Sequence, residues 1–197
     1  MRKFMMFAIA GVLVLFGGLA WAQKTALNSR RLTPVIRSVP SANSPIPMVT
    51  SLSAMSATPA TIQFTANQPG TGTPVAGNSS ATVTWKINGG ASGNTWTLSV
   101  YANSTAFTGC TTVPASAVGV SCSTASVTGA GATATCTSGG PFTLPTSSPG
   151  QQVASGNEGN SSSHTYTVVL TYKFTDSWEF IANTSCPLTI TYTVNAP

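Results

Sequence analysis

The sequence predicts an all-β protein, an antiparallel β-sandwich of immunoglobulin-like type with about seven to nine strands. Three observations predict it. Beyond the first apolar run, hydrophobic residues recur at every second position, and no later stretch shows the period of an amphipathic helix. Groups of Asn, Gly and Pro separate these alternating runs. Between Arg37 and Glu158 the only charged side chain is Lys86, so the polar positions of the strands are filled by Thr and Ser. A barrel is the alternative closure, and strand order is not readable from the pattern.

Arg2 and Lys3 open the chain, an apolar run follows from Phe4 through Leu19, and Ala20-Trp21-Ala22 precedes Gln23. A basic start, an apolar middle and an A-x-A site are the parts of a secretory signal peptide, here residues 1–22. Export to the cell surface, the medium or a periplasm is the expectation. The apolar run is slightly short of the ~20 residues that span a bilayer. No second run occurs, so no integral membrane segment is expected after cleavage.

Residues 23–57 read as an extended arm or linker, because Pro34, Pro40, Pro45 and Pro47 interrupt any long ladder. This stretch also holds Lys24, Arg30, Arg31 and Arg37. From Val49 on, Lys86 and Lys173 face Glu158, Asp176 and Glu179, so a near-neutral body with a basic arm is expected. Four charges spread over the arm are too sparse for a nucleic-acid surface.

The sandwich domain is placed at 58–197. Ile62, Phe64 and Ala66 begin it, and Asn67-Gln68-Pro69-Gly70 breaks the run. Ala81, Val83, Trp85 and Ile87 form one inward face; after Asn88-Gly89-Gly90, Trp96, Leu98, Val100 and Ala102 form the next. The outward residue is usually Thr, whose branched side chain suits a pleated surface. Val118, Val120 and Cys122 make a shorter run, with Ala132, Ala134 and Cys136 returning after Thr128-Gly129-Ala130. Phe142 and Leu144 sit between prolines, which suits an edge. Gln151 to Ser163 reads as an exposed loop. Tyr166 through Phe174 and Cys186 through Val194 alternate most clearly of all.

The cysteines Cys110, Cys122, Cys136 and Cys186 all follow the cleavage site, and an even count in an exported chain implies two disulfides. No C-x-x-C occurs, and the lone His164 cannot complete a ligand set, so no metal and no cofactor is expected. A hairpin turning at Thr128 to Ala130 sets Cys122 opposite Cys136, leaving Cys110 for Cys186. A Cys110–Cys122 and Cys136–Cys186 pairing stays open, since a one-residue slip removes the argument.

The chain is poorly equipped for catalysis, and no catalytic residue is assigned. His164 opens a strand, Asp176 sits near a turn, and no G-x-S-x-G elbow occurs. Glu158, Asp176 and Glu179 are the only carboxylates available for paired acid–base work, and Glu158 falls in the apparent loop. Trp85 and Trp96 fall on inward faces and fill a core. Tyr101, which faces outward, and Trp178 with Phe180 are the candidate ligand-contact aromatics.

The run Ala60-Thr61-Ile62-Gln63-Phe64-Thr65-Ala66, the strand Trp96 to Val100 and the Thr-rich ending Leu188 to Val194, behind a signal peptide, resemble bacterial secreted β-sandwich proteins of the pilin and spore-coat-U-like kind. The resemblance implies a surface-exposed structural or adhesive subunit that polymerises, with partners among its own copies or other cell-surface components. In such assemblies one subunit donates an extended segment to an open sheet of another, and Leu32 to Leu52 is the segment available here. The second expectation is a secreted carbohydrate- or ligand-binding module; a small secreted hydrolase is a distant third.

Overall fold

The computed structural model describes residues 30–40, 51–65, 72–90, 93–160, 163–177, 180 and 186–196. The signal peptide, the break at Asn67 to Gly70 and Trp178 lie outside them. In chain order the strands are β1 Arg30–Pro40, β2 Ser51–Thr58, β3 Ile62–Phe64, β4 Val75–Ala76, β5 Ala81–Asn88, β6 Thr95–Ala102 and β7 Ala106–Phe107. They continue as β8 Cys110–Pro114, β9 Val118–Thr128, β10 Thr135–Cys136, β11 Phe142–Thr143, β12 Gln151–Asn157, β13 His164–Phe174 and β14 Cys186–Ala196. The count exceeds the sequence expectation because several of these strands are two residues long, too short to show a period.

One sheet has the order β10-β12-β6-β14-β1-β3. The other runs β11-β9-β13-β5-β2, with β4 also paired to β13. β7 and β8 form a small ribbon of their own. The pairings are antiparallel except that of β1 with β14, which is parallel. This is an all-β, sandwich-like architecture. Among the described residues no helix is long and apolar enough to cross a membrane.

Period two explains the core. Trp85 on β5, Trp96 on β6 and Tyr166 on β13 are fully buried, with the other inward residues of those strands. Trp85 stacks on Tyr166 with ring centroids 5.5 Å apart. Trp96 reaches across from the other sheet and meets both rings edge-on, at 5.0 and 5.1 Å. Further along, Phe174 contacts Phe64, Phe107 and Phe180. Such edge and offset geometries are favoured by the ring quadrupole beyond the area they bury.

A hydroxyl pair joins the two sheets inside the core. Tyr172 of β13 donates to Tyr192 of β14 at 2.9 Å, and both are buried. Burial pushes the Tyr192 phenol up to about 12, against a lowering by the bond from Tyr172. Burial, with the neighbouring Tyr192, drives Tyr172 well above the usual phenol range. Below about pH 10 folded and unfolded states hold these protons equally. Above it the unfolded chain ionises first, so stability falls as pH rises from about 10 to about 12. Tyr192 alone contributes a loss of about 3 kcal/mol by the upper limit. Denaturant melts across this range, followed with tyrosinate absorbance, should show the buried phenols ionising together with unfolding.

Three expectations change. The arm assigned to 23–57 contributes β1 and β2 to the two sheets. Gln151 to Ser163, read as an exposed loop, begins with β12, because its Gly, Ser and Asn residues pair along β6 despite weak intrinsic propensity. The hairpin drawn between Cys122 and Cys136 does not form: β9 pairs with β13 and β11, while β10 pairs with β12 in the other sheet.

Candidate functional site, the slot filled by the N-terminal strand

β14 carries the last inward run of the chain, with Leu188, Ile190, Tyr192, Val194 and Ala196 buried. On one side it pairs with β6. On the other it takes β1 in parallel, from Arg30 opposite Cys186 to Pro40 opposite Ala196. β1 therefore lines the whole length of β14. Its second neighbour, β3, reaches only three positions, Arg30 opposite Phe64 to Leu32 opposite Ile62. Leu32 is buried between Leu188 and Ile62, both also buried.

Beyond Leu32 the far side of β1 has no ladder partner among the described residues. That explains how prolines are accommodated. A proline removes a backbone donor, which a two-sided central strand cannot spare but a one-sided strand can. Pro34 and Pro40 both fall in the one-sided part. Sequence reading missed β1 because prolines outweighed its apolar positions. A parallel partner also gives no local hairpin signal.

β2 leads from this strand into the opposite sheet, where it is an edge beside β5. A register shift between Ser53 and Ser56, with Ala54 at φ 53°, breaks its ladder. Bulged edges resist pairing with a second chain. β1 has no register shift along its pairing with β14.

Disulfides brace the slot and the opposite margin. Cys110 of β8 is joined to Cys186, the first residue of β14. Cys122 of β9 is joined to Cys136 of β10, which ties the edge strand of one sheet to a strand next to the edge of the other. The first bond is buried and the second half-exposed.

The remaining candidates do not converge on one place. Tyr101 is half-buried on the outer face of β6, opposite Thr191. Phe180 is packed against the core at 6.0 Å from Phe174, and Trp178 lies outside the described residues. His164 and Asp176 flank β13 at opposite ends, roughly 35 Å apart at the rise of an extended strand. His164 is buried, with Nδ1 3.2 Å from the Thr128 carbonyl and Nε2 3.1 Å from Asn160 Oδ1. Gly129 makes room for it: at φ 114°, a Cβ there would collide with the imidazole at Nδ1.

Glu158, expected in a loop at the surface, is fully buried. Its N–H donates to the Asn94 carbonyl at 2.9 Å, and its Oε2 accepts from Asn94 Nδ2 at 3.3 Å. Tyr166 donates to the Glu158 carbonyl at 2.8 Å. Burial, then the Glu158 charge, pushes the Tyr166 phenol up to about 12. Among the described residues no group of His, Cys, Asp and Glu is placed to hold a metal ion. No protein-family model and no curated protein matches this chain.

Proposed function

We propose that the protein is an exported, non-enzymatic structural subunit of the cell surface, pilin-like or coat-forming, which assembles by exchanging β1 between copies. The observation that carries this reading is the parallel seating of β1 along β14, with only three positions held on its other side. An edge as long and apolar as that of β14 needs a partner strand, and a strand from a second copy satisfies the same ladder. Two disulfides support an oxidising destination. The outer faces, built of hydroxyls and amides with few charges, support close packing of like surfaces. Electron microscopy and size-exclusion chromatography of the mature protein test the reading. Filaments or sheets growing with concentration are the expected result; a monodisperse monomer at every concentration contradicts it.

A further inference from the structure

Among the described strands, the margins of the two sheets are blunt except at one place. β3 pairs over three positions, β10 and β11 over two each, and β2 is bulged beside Ala54. The one-sided part of β1 carries Pro34 and Pro40. Short edges, bulges and prolines all discourage a second chain from adding to a sheet. β9 differs. β11 covers it only at Gly119 and Val120, and its one register shift falls between Cys122 and Thr124. Residues 124–128 then run unbroken along β13, without proline or charge. Their far side has no ladder partner among the described residues.

Register with β13 fixes which way these side chains point. Val127 stands opposite Tyr166 and Ala125 opposite Val168, and both β13 residues are fully buried. Ala125 and Val127 are nevertheless only half-buried, as are Ala132 and Ala134 on the connection to β10. That connection belongs to the other sheet, since the Thr133 N–H donates to the Asn157 carbonyl of β12 at 3.2 Å. The space between the sheets is therefore incompletely covered at this margin, with small apolar side chains on both lips. Thr124, Ser126 and Thr128 point outward and are exposed. One added strand, with small apolar residues facing in and hydroxyls facing out, satisfies the backbone and the lips together.

We propose that this strand is β9 of a second copy, paired antiparallel about a twofold axis at Ser126. Directly opposite residues of an antiparallel pair share a face. Ser126 then meets its own counterpart, Thr124 meets the partner's Thr128, and Ala125 meets the partner's Val127. Hydroxyl faces hydroxyl and apolar faces apolar, and such cross-strand pairs stabilise a sheet. Moving the axis by one residue leaves an end of the segment unpaired. No charged side chain occurs between Lys86 and Glu158, so two copies meet here without like-charge repulsion along the strand. The contact is isologous and closes at a pair. It requires no segment to leave its own fold, so it stands apart from exchange of β1.

The test places single cysteines in the full mature chain, whose own four are all paired. Opposite Cα atoms in such a ladder lie about 4.5–5.5 Å apart, within disulfide reach. After oxidation, S126C should give a covalent dimer. T124C and T128C should each stay uncross-linked alone and join when mixed, because only the unlike pair stands opposite. S147C, in the exposed loop before β12, gives the background. In sedimentation velocity, an equimolar mixture of S126K and S126D should associate roughly tenfold more tightly than either variant alone. Exchange of β1 is common to all three samples, so the difference reports this edge. No S126C dimer above the S147C background is the result if β1 of another copy or an unlike strand takes the edge. That result, T124C alone matching the mixture, or no gain on mixing S126K with S126D would overturn the proposal.

Discussion

Replacing Cys110 and Cys186 together by alanine should destabilise the protein by about 4–5 kcal/mol, the chain-entropy cost of releasing a long loop. The bond spans 76 residues, whereas Cys122–Cys136 spans 14, for which the same argument gives about 3 kcal/mol. Position strengthens the contrast. Cys186 begins β14 opposite Arg30, so its release also loosens the start of the β1 ladder. Cys122–Cys136 closes a margin where β10 pairs over only two positions. Denaturant midpoints of the two alanine pairs measure the order, and a larger loss from the Cys122–Cys136 pair would refute it.

Trp96→Ala should cost about 3–5 kcal/mol, within the range for a buried tryptophan. Trp96 is fully enclosed, meets Trp85 and Tyr166 edge-on, and bridges the two sheets. Its Nε1 also donates to the Thr133 carbonyl at 3.3 Å. Trp96→Phe keeps part of the ring contact but removes that donor and part of the indole's packing, and should cost less, about 1–3 kcal/mol. Equilibrium unfolding of both variants checks the pair; equal losses would mean that the indole bond outweighs packing.

The strands carrying Trp85, Trp96, Tyr166 and Ile190 were legible because alternation is a local property, and each of these runs is long enough to show it. β1 was not, since its place depends on β14, which follows it by more than a hundred residues in the chain. Its prolines are tolerated by an open side that no local pattern reveals. Cys122 and Cys136 illustrate the same limit. The bond exists, but its supposed hairpin does not, because β9 and β10 separate into different sheets. The burial of Glu158 was hidden for a similar reason: Asn94, which binds both its backbone and its carboxylate, is remote in sequence. Of the candidate contact aromatics, Tyr101 kept its outward place on β6, whereas Phe180 turned toward the core.

The central claim is that β1 completes the sheet beside β14 and that another copy can supply it. Thr33 stands opposite Thr189 in that ladder. Neighbouring strands lie about 4.8 Å apart, within the Cα separation of about 4.4–6.8 Å that a disulfide spans. The variant T33C/T189C, oxidised and run without reductant, reads the pairing directly. The account predicts intrachain bonds in the monomeric fraction and a ladder of cross-linked multimers in assembled material. Assembled material held only by intrachain bonds, or no bond in either fraction, would contradict it.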